Sequence, residues 1–267
     1  MTRLLESCIR GLIAQDYTNI QGIIVTVPTV NMRGQVFSEQ QNETLQAFMR
    51  NDSFKLKNVV FHRPAFDKGP MMKYLGAYPY IKADAGGGDT YFFICDDDQV
   101  YPPTFISSYV SILEKLAPQK REKAVVGCTN HGLLGKIHPS FRAVMGLRGI
   151  LLPSAAIVKL HDKIKPLSLP TCCAMNDDTF ISLMLYKLGY SFITAPSCST
   201  DIENNDVDGL SKSYGDVLQK PIQQIQCHAR FNTSMCCVLV VCTFSVCLAV
   251  ATAVALPILV VRKHKNI

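Results

Sequence analysis

Three consecutive carboxylates, Asp96, Asp97 and Asp98, directly follow an apolar run at positions 91–95. The run is rich in aromatic and β-branched residues and predicts a buried strand. The acids then lie at its carboxyl end, where open α/β sheets bind ligands. Asp96 and Asp98 are two residues apart and face the same way in an extended chain. Such hard oxygen ligands suit Mg²⁺ or Mn²⁺, which would bridge to substrate phosphates. The alternative interpretation is a solvated acidic turn after the strand.

A second acidic pair, Asp177 and Asp178, begins an apolar stretch that predicts a helix. Acids at this position interact favourably with the helix dipole. An N-cap formed by Asn176 or Asp177 accounts for one of these polar side chains but not for both acids. The second carboxylate therefore makes Asp178 or Asp177 a candidate general base.

The segments that must position these acids alternate between strand and helix patterns. Strand patterns occupy residues 20–27, 58–62, 91–95, 124–128 and 191–194, and helical patterns occupy residues 4–13, 38–50 and 104–116. A turn at Gly69 and Pro70 opens a further helix, which carries Lys73. This alternation predicts an α/β fold in which a mostly parallel sheet is flanked by helices. The glycine-rich segment 86–88 precedes a strand instead of a helix, so it is not a phosphate-binding loop.

The composition favours one main domain over residues 1–230, because no Gly/Ser-rich or Pro-rich linker divides the 267-residue chain before that point. The net charge of +6 is spread out and lacks the basic run with interleaved aromatic residues of a nucleic-acid-binding protein, so we expect no nucleic-acid partner. The 11 cysteines lack a zinc-binding spacing. We expect reduced thiols in a cytosol-facing domain, and a secreted disulfide framework is the alternative. The sequons at Asn42, Asn51 and Asn232 matter only if the domain reaches a glycosylating lumen.

Residues 235–261 form an uncharged run rich in Val, Leu, Cys and Ala, followed by a basic tail at 262–267. A helix needs about 20 apolar residues to cross a bilayer, so the run predicts a transmembrane helix. The alternative is a buried core helix, which normally has a polar face. The sequence thus predicts a single-pass membrane protein with a C-terminal anchor and a catalytic domain in the cytosol. The basic tail alone would favour a cytoplasmic C-terminus instead.

An ordered set of motifs over most of residues 3–195 resembles the inverting GT-A glycosyltransferases of the family-2-like superfamily. The motifs are Ala14-Gln15-Asp16-Tyr17 at the end of the first helix, Asp67-x-Gly69-Pro70-x-x-Lys73 with Leu75-Gly76, Asp96-Asp97-Asp98 with Tyr101-Pro102-Pro103, and Asn176-Asp177-Asp178. The resemblance implies a Rossmann-like GT-A fold. Members of this superfamily usually open with an apolar strand, whereas this sequence opens on the first helix.

The resemblance also implies roles for the residues of a donor site. Asp96 and Asp98 would contact the ribose of a nucleotide-sugar donor and its metal-bound diphosphate. Mn²⁺ or Mg²⁺ would bind to Asp98, with Asp96 alongside. Asp97 would belong to the same donor site. Lys73 would contact a phosphate or the substrate, and the alternative is an exposed helix lysine without such a role.

The activity that the resemblance implies is metal-dependent, inverting transfer of a sugar to a hydroxyl of a glycan, lipid or protein acceptor. The base would be Asp178 or Asp177. Residues 148–153 would border the acceptor, since a glycine lets a substrate approach the backbone; the alternative is an ordinary loop followed by a strand. Two alternatives remain open. An aspartyl-phosphate phosphohydrolase would use Asp96 as nucleophile and Asp98 as acid/base, and a membrane-tethered domain could bind nucleotide sugar or a partner without turnover.

Overall fold

A computed structural model describes residues 3–30, 36, 43, 46–47, 50, 58–64, 67–83, 90–97, 99–130, 143–144, 149–167, 173 and 177–195. The helices are α1 (Arg3–Ile13), α2 (Met72–Leu75), α3 (Tyr78–Ala83), α4 (Phe105–Glu114), α5 (Pro118–Arg121), α6 (Ser154–Ile164) and α7 (Asp177–Lys187). A 3-10 turn at Gly69–Met71 leads into α2. The strands are β1 (Ile23–Thr26), β2 (Val59–His62), β3 (Tyr91–Ile94), β4 (Ala124–Gly127), β5 (Thr129–Asn130), β6 (Ala143–Val144), β7 (Ile150–Pro153) and β8 (Ser191–Thr194).

The largest sheet in the described part of the chain has four strands in the order β3-β7-β4-β8. Strand β7 runs antiparallel to both of its neighbours, and β4 and β8 are parallel. Strands β3, β4 and β8 therefore point the same way, and their carboxyl ends share one edge of the sheet. Strands β1 and β2 form a separate parallel pair, and β5 and β6 form a short antiparallel pair.

The predicted α/β class is confirmed, but the sheet is mixed in its pairing instead of mostly parallel. The reason is β7, which lies between β3 and β4 and runs against both. All four of its residues are buried, and a strand covered on both faces is apolar throughout. Such a pattern predicts a buried strand but carries no information on its direction.

Helices cover the sheet and supply two clusters of buried apolar side chains. One cluster includes Tyr74 of α2 and Phe180 of α7. The other includes Tyr109 of α4 and residues of α1. Within β7, Leu152 packs into the first cluster and Leu151 into the second, because successive strand residues point to opposite faces. The sheet is therefore covered by helices on both faces.

The side chain of Gln15 joins the end of α1 by hydrogen bonds to the turn that follows the acidic run. Its Nε2 donates to the carbonyl oxygens of Gly11 (3.0 Å) and Pro102 (2.8 Å). Its Oε1 accepts from Ile106 N (2.9 Å) in the first turn of α4. Gln15 and Tyr101 are both buried, and buried polar groups are normally hydrogen-bonded. The Gln-Asp and Tyr-Pro-Pro motifs therefore support the acidic run structurally.

The predicted strands at Val59–His62, Tyr91–Ile94, Ala124–Gly127 and Ser191–Thr194 are confirmed, as are the helices α1, α4 and α7. Strand β1 is shorter than its pattern at 20–27. The helix predicted at 38–50 lies mostly outside the described residues, and the run 235–261 lies wholly outside them. Where the structure describes the chain, no helix is long and apolar enough to cross a bilayer.

Cys128 and Cys173 each form a disulfide bond, whereas Cys8 and Cys95 are not disulfide-bonded. The expectation of reduced cysteines is therefore wrong for the first two, both of which are buried. A disulfide stabilises a fold largely by restricting the unfolded chain. Such bonds form and persist in oxidising compartments.

Candidate active site

The carboxylates of Asp96, Asp177 and Asp178 surround the ammonium group of Lys73. Lys73 Nζ lies 2.5 Å from Asp96 Oδ1 and 2.8 Å from Asp177 Oδ2. Its distance to Asp178 Oδ1 is 3.8 Å. Asp96 follows β3 and the acidic pair begins α7, so the tertiary fold joins two motifs that are far apart in the sequence. When all four groups are ionised, the cluster carries an excess of two negative charges.

The Gly-Pro turn and α2 hold Lys73 in place. Asp67 Oδ1 accepts a hydrogen bond from Gly69 N at 2.7 Å, which is the local geometry of an Asx turn. At the other end of α2, a Cβ on Gly76 would overlap the side chain of Thr26 on β1. Glycine therefore permits the close packing of α2 against β1. Backbone geometry thus explains the motif residues on either side of Lys73.

Asp96 stands at the end of β3 with 31% of its side chain exposed. Cys8 Sγ, on α1, donates a weak hydrogen bond to the carbonyl oxygen of Asp96 at 3.5 Å. Asp97 is exposed on the turn that follows, and Asp98 lies outside the described residues. Within the described ranges, no group of three His, Cys, Asp or Glu side chains is arranged to hold a metal ion.

The two acids that begin α7 differ in exposure. The side chain of Asp177 is 11% exposed and that of Asp178 is 35% exposed. Asp177 Oδ2 approaches Lys73 outside hydrogen-bond geometry, so the contact is an ion pair. Ser182 Oγ donates to the carbonyl oxygen of Asp178 at 2.5 Å and accepts from Val144 N at 2.9 Å. These bonds fix the first turn of α7 against β6.

Electrostatic interactions keep Lys73 charged. Burial lowers the pKa of Lys73, but the negative charges of Asp177 and Asp96 outweigh this effect and raise it well above its usual value. Burial also raises the pKa of the neighbouring Tyr74, although the charge of Lys73 acts in the opposite direction. The Tyr74 hydroxyl is buried and has no hydrogen-bond partner among the described residues. The site therefore combines a permanent cation with a neutral phenol at neutral pH.

The segment 148–153 was predicted to border an acceptor, and this is wrong for Ile150–Pro153, which form the buried strand β7. Gly149 has a φ of 71°, and a Cβ there would overlap the ring of Phe93. The absence of a side chain at Gly149 is thus required for packing against β3.

Sequence reasoning missed four residues that support the site, namely Cys8, Gln15, Tyr74 and Ser182. Ser182 follows Asp178 by four positions, a spacing at which a serine can bond back to a helix carbonyl. Gln15 is signalled only by its place in a motif. The contacts of Cys8 and Tyr74 depend on the tertiary fold and leave no pattern in the sequence.

No protein-family model matches the sequence, and no curated protein matches it significantly. The fold is similar to that of a solved structure described as the mannosyltransferase PcManGT from Pyrobaculum calidifontis in complex with GDP-Man and Mn²⁺. The TM-score is 0.57 and the sequence identity is 14%, over 87% of this chain and 62% of that chain. The fold resembles that of a glycosyltransferase. At this identity the likeness concerns the fold alone, and this chain spans less than two thirds of that protein.

Proposed function

We propose that this protein transfers a sugar from a nucleotide-sugar donor to an acceptor hydroxyl, with inversion at the anomeric carbon. The main support is the meeting of Asp96 with Asp177 and Asp178 around Lys73. This cluster lies at the carboxyl edge of the sheet in a fold that resembles a glycosyltransferase, and open α/β sheets bind ligands at that edge. A donor-side acid and an acceptor-side base are then neighbours, as direct displacement requires.

Asp178 is the better of the two candidate bases. A base must come within hydrogen-bond reach of the proton that it removes, and Asp178 is the more exposed and the farther from Lys73. In the proposed step, Asp178 takes the proton of the acceptor hydroxyl while the oxygen attacks the anomeric carbon. The bond from that carbon to the diphosphate breaks, and its electron pair leaves with the nucleoside diphosphate. Asp177 is then a positioning residue that holds Lys73.

On the donor side, the oxygen donor of Asp96 has the hard character that Mg²⁺ and Mn²⁺ prefer. Asp96 and Asp98 would hold such an ion, and Asp97 lies between them in the sequence. When bound, the ion would offset negative charge on the leaving diphosphate. Lys73 keeps its own positive charge and would contact phosphate oxygens as a point charge.

Donor-consumption assays on the full chain, with a panel of nucleotide sugars and Mn²⁺, test the proposal. We expect at least one donor to bind and to be consumed, and a product whose anomeric configuration is inverted by NMR. Nucleotide binding without turnover would favour a binding domain. Phosphatase activity with a covalent intermediate on Asp96 would favour the phosphohydrolase alternative. A product that retains its configuration would contradict direct displacement.

We also propose that residues 235–261 anchor the protein in a membrane and that residues 1–230 lie on its non-cytosolic side. The disulfides of Cys128 and Cys173 favour an oxidising compartment, and the basic tail favours a cytoplasmic C-terminus. Both arguments oppose the cytosolic placement expected from the sequence. The acceptor would be a glycan, lipid or protein on that side. Sensitivity of the chain to an N-glycosidase, lost on replacing Asn42 and Asn51, would support this side; digestion of the domain in sealed, cytosol-side-out vesicles would contradict it.

A further inference from the structure

Two lysines converge on the ring of Tyr190 at the edge of the sheet opposite the carboxylate cluster. Lys123 Nζ lies 4.9 Å from the ring centroid, and Lys159 Nζ lies 5.9 Å from it. Lys123 precedes β4 and Tyr190 precedes β8, whose first residues pair in parallel. Asp96 instead follows β3, which points the same way as β4. The lysines are therefore remote from the proposed sugar-transfer site.

The backbone at these lysines is held by regular structure. Ser191 N donates to the carbonyl oxygen of Lys123 at 2.8 Å. Lys159 belongs to α6, where its neighbours Ala156 and Leu160 are fully buried. Tyr190 is 4% exposed, and its ring faces attract ammonium groups. The two side chains thus extend from a helix and from the turn before β4 to one aromatic ring.

No carboxylate among the described residues forms an ion pair with Lys123 or Lys159. Both ammonium groups lie against the same ring, and the positive charge of Lys123, then burial and a hydrogen bond between the two side chains, lower the pKa of Lys159. The Tyr190 hydroxyl is also buried without a hydrogen-bond partner in the described part of the chain. The connection from α4 to β4, residues 115–123, contains three basic side chains besides Lys123, namely Lys115, Lys120 and Arg121, and one acidic side chain, Glu122.

We propose that Lys123 and Lys159 form a binding site for a phosphate monoester group at the edge of the sheet where β4 and β8 begin. A phosphate monoester carries roughly 1.5 to 2 negative charges at pH 7 and three acceptor oxygens. One such group therefore neutralises both ammonium groups and relieves their repulsion, whereas a carboxylate supplies a single charge. Lysine binds phosphate as a point charge and needs no planar geometry. The site is independent of the proposed sugar transfer.

Thermal unfolding of the full chain in detergent micelles tests this site. The probe is inorganic phosphate, compared with chloride at the same ionic strength. We expect phosphate at about ten times its dissociation constant to raise the midpoint of the wild type by about 4 °C. The double variant Lys123→Gln/Lys159→Gln should lose this rise. The control is Lys163→Gln, which removes one charge from the same helix at a lysine that is not among the ring contacts of Tyr190 in the described part of the chain and should keep the rise.

A rise that persists in the double variant would overturn the proposal, because phosphate would then bind elsewhere. The absence of any rise in the wild type, both with inorganic phosphate and with the lipid probe described next, would also overturn it.

The second arm of the experiment replaces inorganic phosphate with phosphatidic acid in the micelles, using phosphatidylcholine as the neutral control. Protection by phosphatidic acid that depends on both lysines would identify a lipid headgroup as the source. Protection by inorganic phosphate alone would identify a soluble phosphate compound.

Discussion

Replacing Lys73 with methionine removes the ammonium group at the centre of the carboxylate cluster while keeping a side chain of similar length. The side chain of Lys73 is 15% exposed and that of Asp177 is 11% exposed. Asp177 would keep a buried carboxylate without its cation. Asp96 and Asp178 are about one third exposed and would be partly solvated by water. The loss of folding stability in Lys73→Met therefore comes mainly from the unpaired Asp177 carboxylate.

Breaking a buried ion pair on one side typically costs about 3–5 kcal/mol, and the partial exposure here places Lys73→Met near the lower value. Removing the unpaired charge of Asp177 as well, in Lys73→Met/Asp177→Asn, should restore about 2 kcal/mol of folding stability, because both partners are then neutral. The matched control is Lys68→Met in the preceding turn, which has no ion pair in the described part of the chain and should change stability by less than about 0.5 kcal/mol.

The stability lost in Lys73→Met depends on pH through the charge of Lys73. The pKa of Lys73 is raised in the folded protein by Asp177 and Asp96, against the effect of burial. Its stabilising contribution is therefore fully present below the unfolded pKa of about 10.4 and is lost only as the pH rises through the folded value. The difference between wild type and Lys73→Met should stay constant from about pH 7 to pH 9.

Chemical unfolding of the full chain, followed by circular dichroism, measures these differences. The reasoning is refuted if Lys73→Met costs less than about 1 kcal/mol. It is also refuted if the double variant is less stable than Lys73→Met, since the unpaired Asp177 carboxylate would then not be the source of the instability. A loss that shrinks steadily between pH 7 and pH 9 would show that Lys73 is not held in its charged form.

Three further outcomes test other parts of the site and fold. Asp178→Asn should lower turnover by roughly 10²- to 10⁴-fold in steady-state assays with donor binding retained; if only Asp177→Asn does so, the base is Asp177. Asp98→Asn should abolish Mn²⁺-dependent nucleotide binding by calorimetry, and unchanged affinity would remove Asp98 from the metal site. Gly149→Ala should cost about 2 kcal/mol more in unfolding experiments than Gly189→Ala, because both positions have positive φ but only the former Cβ would overlap Phe93; equal losses would exclude that overlap.

The local elements were accessible from the sequence because their signals lie between near neighbours in the chain. The apolar run before Asp96 predicts β3, and the acids at Asp177 and Asp178 predict the start of α7; both are confirmed. The turn at Gly69 and Pro70 likewise predicts the helix that carries Lys73. Periodicity and capping act over a few residues, so these predictions need no knowledge of the fold.

The α/β class, the order of most elements and the two acidic motifs follow from the amino-acid sequence alone. The tertiary fold is needed to see that one ammonium group, Lys73, joins both motifs, and that Asp177 is buried while Asp178 stays accessible. The same holds for the antiparallel direction of β7 and for the disulfides of Cys128 and Cys173. These features depend on contacts between residues that are distant in the chain. Charge pairing and burial arise from three-dimensional proximity, which no local pattern of residue types encodes.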